Sequence, residues 1–218
     1  MRSIKLLAMA AMLLLAAPSF ATSFTVLGWD AGEVVRVTFN SQARSFTTTQ
    51  FHEQVDGVTG VSFCADLSQY ITTATYTDFV AHDPAAAESQ AFASGPPVRK
   101  FAWAAQIADR WANDLNELVT TLGVTNKQAI TGVQAAIWEA VYGNAFTATA
   151  ASMSGGAWSV YQHVLGHKYA SYGRTLLYHS PTKQDQLFTP PVPEPSAMFV
   201  FGAGALLVGR SLLRRKAE

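Results

Sequence analysis

The chain has 218 residues, fifteen Lys/Arg against fifteen Asp/Glu, a formal charge of +0 and one cysteine. That length suffices for one domain with a real core, while a single cysteine excludes a framework of internal disulfides. The neutral total hides an asymmetry: residues 22–191 hold nine Lys/Arg and thirteen Asp/Glu, near −4, and the lack of a basic run there argues against nucleic acid as a partner.

The chain opens with Met1-Arg2-Ser3-Ile4-Lys5, an apolar run from Leu6 to Ala17, then Pro18-Ser19-Phe20-Ala21. Basic residues, a short apolar stretch and small residues at Ser19 and Ala21 predict a signal peptide over residues 1–21. The run is shorter than the roughly 20 apolar residues a membrane-spanning helix needs. An exported domain over residues 22–191 follows from that reading.

Residues 23–76 read as strands. Residues 25–29 and 34–39 are rich in β-branched and aromatic side chains, with Gly32 and Asn40 as breaks. Residues 45–51 form a further candidate, Gly57 and Gly60 mark a turn, and Val61-Ser62-Phe63-Cys64-Ala65 puts the cysteine on or at the end of a strand. Residues 70–76, with three threonines, suggest another strand. Residues 83–98, with Pro84, Gly95, Pro96 and Pro97, read as a connection.

From Lys100 the apolar period changes to three and four, through Phe101, Ala104, Ala108, Trp111, Leu115, Leu118 and Leu122, predicting one amphipathic helix stopped by Gly123. Thr125-Asn126-Lys127-Gln128 has the form of a capping box and opens a second helix. Its apolar face is Ile130, Val133, Ile137, Ala140 and Val141, and Gly143-Asn144 ends it. Gln134 falls on that face, and an unpaired buried amide costs about 1–3 kcal/mol, so a partner is required. Residues 157–170 suggest a third helix, and residues 172–178 and 186–188 return to strands. The expected class is α+β: a β-sandwich or barrel with an inserted helical subdomain.

Cys64 and Gln134 suggest a chemistry. A thiol held against a glutamine carboxamide can displace ammonia and leave a thioester, provided the thiolate is accessible and fixed geometry replaces a bimolecular encounter. Trp138, one turn past Gln134, would shield the product from water. The residues alone leave open that Cys64 is a small buried hydrophobe and Gln134 a satisfied polar side chain. Cys64 with one of His52, His82, His163, His167 or His179 would instead make a hydrolase-type nucleophile and base, although no Gly-x-Ser-x-Gly is present. His163 and His167, four apart, lack a third metal ligand at an obvious spacing, so no metal and no cofactor are expected.

After residues 189–196, a proline-rich break, an apolar segment over residues 197–213 is interrupted by Arg210, and Arg214-Arg215-Lys216-Ala217-Glu218 closes the chain. This predicts a transmembrane helix with a cytoplasmic basic tail. Pro193-Glu194-Pro195, the apolar segment and the basic cluster together resemble a PEP-CTERM sorting signal over residues 192–218. The resemblance implies an exosortase-type membrane sorting enzyme as partner and a Gram-negative bacterium that exports the protein through its inner membrane. It also implies a destination at the cell surface or in an extracellular polysaccharide matrix.

Phe63-Cys64-Ala65 and Val133-Gln134-Ala135-Ala136-Ile137-Trp138 are similar to the cysteine and glutamine motifs of bacterial thioester domains. That resemblance implies an internal thioester in which Cys64 supplies sulfur and Gln134 the acyl group. An adhesin-like protein that captures amine groups of a protein or surface target covalently, in a single turnover rather than as an enzyme, is the expected function. A non-covalent structural protein of an exopolysaccharide biofilm is the alternative. Val133 stands where the motif has threonine, and Gln106 gives no clean match to the family's middle glutamine motif. The bond would close a loop of about 70 residues and, by analogy with disulfides, stabilise the domain by roughly 4 kcal/mol.

Overall fold

The computed structural model describes residues 22–88, 100–169 and 172–191. The expected signal peptide, the transmembrane segment 197–213 and Pro193, Glu194 and Pro195 lie outside the described residues. Among the described residues no helix is long and apolar enough to cross a membrane.

Two tight turns set the sheet. Strands β1 (Phe24–Phe39) and β2 (Gln42–Val55) form a long hairpin across Asn40 and Ser41, both at positive φ. Asp56 and Gly57, also at positive φ, turn β2 into β3 (Val58–Cys64). Two-residue turns of this hand match the right-handed twist of antiparallel strands. The remaining strands are β4 (Thr75–Tyr76), β5 (Val80–His82), β6 (Phe146–Thr147), β7 (Leu176–His179) and β8 (Gln186–Thr189). They form one antiparallel sheet in the order β4-β1-β2-β3-β8-β7-β5, with β6 added to β1. Phe24 on β1 and Tyr178 on β7 have ring centroids 5.4 Å apart although β2, β3 and β8 separate their strands. The sheet is therefore curled upon itself, a single barrel-like layer and not a two-sheet sandwich.

The long hairpin buries different faces along its length. Near its open end Phe24, Val26, Phe51 and Val55 point into the curl, whereas Val35 and Val37 near its closed end are buried on the other phase. Register irregularities between Val26 and Gly28 and between Ala31 and Val34 make that change, since an extra residue re-phases the alternation and bends the strand. The expected break at Gly32 is thus absent as a break. Glycine is required there because an added Cβ would lie 2.1 Å from Thr48 Oγ1.

Helices α1 (Pro84–Ala87), α2 (Phe101–Trp111), α3 (Leu115–Leu122), α4 (Asn126–Tyr142) and α5 (Gly155–Gly166) complete the fold. The single helix expected from Lys100 to Leu122 is two, because the sheet takes the groups at the break: Gln50 Nε2 donates to Ala112 O at 2.6 Å, and Asn113 Nδ2 to Pro190 O at 3.2 Å. The capping box forms as read, Thr125 Oγ1 accepting from Gln128 N and Gln128 Oε1 from Thr125 N. Helix α4 is buried on nearly every side, including Ile130, Val133, Gln134, Ile137 and Trp138, which marks a central helix more than an amphipathic one. It packs against α2, α5 and the first three strands. Gly132 lets α5 approach, since a Cβ there would meet Val160 at 2.5 Å.

Two other expectations are corrected. Only Thr75 and Tyr76 of residues 70–76 are strand, because the Tyr76 hydroxyl bonds the backbone of Thr72 and closes a local loop. The third helix ends at Gly166, and the strand expected from 172 begins at Leu176.

Candidate functional site

Cys64 is the last residue of β3, at the point where the ladder loses a strand. Pairing with β2 ends at Gln50–Phe63. Ala65 N turns towards the β8 side and donates to Asp185 O at 2.8 Å. Successive residues of a strand point their backbone groups to alternate sides, so the N–H and C=O of Cys64 face the gap that β2 has left. Gln134, at 0 % exposure, fills it. Cys64 N donates to Gln134 Oε1 at 3.0 Å, and Gln134 Nε2 donates to Cys64 O at 2.8 Å. The side-chain amide replaces a missing peptide unit, and the partner that the buried glutamine required is the backbone of the cysteine itself.

The thiol looks onto the inner face of the curl, which cross-strand register also gives to Ser62, Glu53 and Gln186. Gln186 Nε2 stands 4.0 Å from Cys64 Sγ, and Ser62 Oγ donates to Gln186 Oε1 at 2.9 Å. Glu53, 0 % exposed, has no hydrogen-bond partner for either carboxyl oxygen among the described residues. Burial therefore pushes its pKa up to about 8, with the nearby Ser62 hydroxyl opposing the shift. Burial also holds the Cys64 thiol far above its ordinary range, partly offset by Gln186 and reinforced by the charges of Glu53 and Asp66. The sulfur thus has a polar amide and a desolvated acid on its inner side.

A second set of bonds fixes the chain just past the cysteine. Asp66 Oδ1 accepts from Ser68 N at 2.7 Å and from the Tyr142 hydroxyl at 3.2 Å, while that hydroxyl accepts from Leu67 N at 3.0 Å. Gln184 Nε2 donates to Asp66 O at 2.7 Å. Tyr142 is the last residue of α4, so the helix that carries Gln134 also anchors the loop beyond Cys64. Cys64 and Trp138 line a common cleft of about 360 Å³. Trp138 is 1 % exposed, tilted against Phe46 and Phe146 at 5.7 and 6.1 Å, and its Nε1 has no hydrogen-bond partner among the described residues.

The three expected site residues therefore share one locality. The histidines are engaged in other ways: His52 with Asp30 at 3.0 Å, His179 with Asp185 at 2.7 Å, and His163 and His167 edge-on to Trp111 at 5.8 and 5.5 Å. Among the described residues no group of three His, Cys, Asp or Glu side chains is arranged to hold a metal. Sequence reasoning missed Ser62, Tyr142 and Glu53, and gave Gln186 no role. Glu53 left a trace, because it shares strand parity with Phe51 and Val55.

These observations define a mixed helix and sheet protein whose curled antiparallel sheet brings a strand cysteine and a helix glutamine together. Residues 191–216 match the PEP-CTERM protein-sorting motif, which implies an exported surface protein processed by an exosortase. The structure is similar to the N-terminal thioester domain of a surface protein from Clostridium perfringens, at 14 % identity and a TM-score of 0.46, covering 65 % of this chain and 89 % of that one. It is also similar to the N-terminal thioester domain of the fibronectin-binding protein SfbI from Streptococcus pyogenes, at 15 % identity and a TM-score of 0.45, covering 82 % of this chain and 97 % of that one. No curated protein matches the chain.

Proposed function

We propose that this surface protein forms an internal thioester between Cys64 and Gln134 and uses it once to bind a nucleophile covalently, as an adhesin does. The observation that carries the reading is the paired contact of the Gln134 carboxamide with the backbone of Cys64, at 3.0 and 2.8 Å. Attack by Sγ on Cδ would put negative charge on Oε1, where the Cys64 N–H already donates, and a preorganised donor of this kind stabilises a tetrahedral intermediate. Collapse breaks the C–N bond. The thiol proton leaves with the amide nitrogen as ammonia, and the bond to Cys64 O is given up. A nucleophile entering through the cleft beside Cys64 would then take the acyl group and return the thiol.

The setting is the outer surface or extracellular matrix of a Gram-negative bacterium, reached after removal of residues 1–21 and processing near Pro193-Glu194-Pro195. Intact mass tests the reading: the exported protein should be lighter than its processed sequence by one ammonia, and methylamine should add at Gln134. Full sequence mass without methylamine uptake would sink it. That outcome would favour the second reading, a non-covalent structural protein of a polysaccharide matrix. The high thiol pKa that burial imposes on Cys64 speaks for that alternative.

A further inference from the structure

The cleft over Cys64 differs in chemistry from the rest of the molecule. The surrounding domain is rich in carboxylates, yet none of the described residues that line this cleft carries a formal charge. Its walls combine exposed aromatic faces, Trp29 at 51 % and Tyr70 at 85 % exposure, with the neutral hydroxyls of Thr47 and Thr49 and the amide of Gln184. The hydroxyls follow from the alternation of β2, which turns Ser45, Thr47, Thr49 and Phe51 to the side that carries Cys64.

Such a lining discriminates between nucleophiles. A lysine ammonium would shed water with no carboxylate on the cleft wall to receive it, which is costly. A sugar ring presents apolar C–H faces to aromatic rings and hydroxyls that both donate to and accept from hydroxyl and amide groups. A volume of about 360 Å³ suits one or two such rings.

We propose that the Cys64 cleft is a seat for an uncharged saccharide, one of whose hydroxyls is the nucleophile for the Cys64–Gln134 bond. The proposal rests on the thioester reading for its covalent step, and its binding step stands independently. In the covalent step the hydroxyl oxygen adds to Gln134 Cδ, the C–S bond breaks, and the hydroxyl proton ends on Sγ. The products are a glutamyl ester of the sugar and a free cysteine thiol.

The test separates the two steps. The exported protein carrying Cys64→Ala is titrated with neutral hexasaccharides of glucose, mannose and N-acetylglucosamine, with an acidic oligogalacturonate and with a lysine-rich peptide, following tryptophan fluorescence and calorimetry. At least one neutral sugar should bind, and Trp29→Ala or Tyr70→Ala should each weaken it tenfold or more while the melting temperature holds. The unsubstituted protein should form with that sugar a denaturant-stable adduct that alkaline hydroxylamine cleaves, as it cleaves esters and not amides. Failure of every neutral sugar to bind, or unchanged affinity in both aromatic variants, overturns the proposal whether or not the protein has lost ammonia. A hydroxylamine-resistant adduct with the lysine peptide alone overturns it too, with the aromatic rings then serving an ammonium through cation–π contact. Sugar binding by a protein of full sequence mass keeps the seat and removes the bond.

Discussion

Two buried polar side chains, one on helix α4 and one on strand β2, are treated in opposite ways. Gln134 has its carboxamide oxygen and nitrogen both bonded, to the backbone of one residue. Glu53 is just as buried, yet neither of its oxygens has a hydrogen-bond partner among the described residues. The first arrangement fixes a carboxamide in one orientation, because leaving it would orphan buried backbone donors and acceptors. The second stores an unfavourable charge, which the protein avoids by keeping the carboxyl protonated. Pairing gives position; its absence gives pH dependence.

The sharpest way to break this contrast is to unpair the paired side. In a Cys64→Ala background, where no bond links the two side chains, Gln134→Ala removes two hydrogen bonds and leaves the N–H and C=O of residue 64 buried. Each orphaned group costs about 1–3 kcal/mol, so the loss should reach about 3–5 kcal/mol, read as a fall in the urea midpoint. A loss under about 1 kcal/mol would show that the pairing is dispensable.

Glu53 predicts a slope and not a fixed loss. Its folded pKa of about 8 lies above the ordinary value of 4.5, so between those values the folded state holds more protons than the unfolded one. Stability is full below about pH 4.5, falls as pH rises, and levels off above about pH 8; the whole change is on the order of a few kcal/mol. Glu53→Gln should flatten that part of the curve of melting temperature against pH. A parallel curve would remove the buried acid from the account.

A smaller effect belongs to the loop past Cys64. Tyr142→Phe deletes the hydroxyl that joins Leu67 N to Asp66 and should cost about 1–2 kcal/mol in chemical denaturation. It should also raise amide exchange over residues 65–68 more than over β3. Smallest of all, Val133→Thr introduces a hydroxyl one residue before Gln134, at a fully buried position. It should cost about 1 kcal/mol unless the hydroxyl bonds back to the preceding helical turn. If it instead speeds ammonia loss, the threonine acts on the bond and not on the fold.

Much of the fold was legible because local rules governed it. The capping box at Thr125, the chain reversals near Asn40 and Gly57 and the strand that delivers Cys64 all rest on neighbours within a few residues. The long helix was misread as unbroken, since its interruption is imposed by Gln50 from a strand some 60 residues earlier and by the backbone at Pro190. The candidate pair was legible through its flanking motifs. Its supporting groups were not, because Ser62 and Gln186 meet only once β3 and β8 are paired.

By itself the sequence determined that a cysteine ends a strand, that a glutamine rides a buried helix, and that the last residues carry a sorting motif. Periodicity and short motifs suffice for that. Only the tertiary structure decided which partner the glutamine takes. Strand β2 leaves the ladder one residue too early, and the carboxamide of Gln134 completes the backbone pairing of Cys64 in its place.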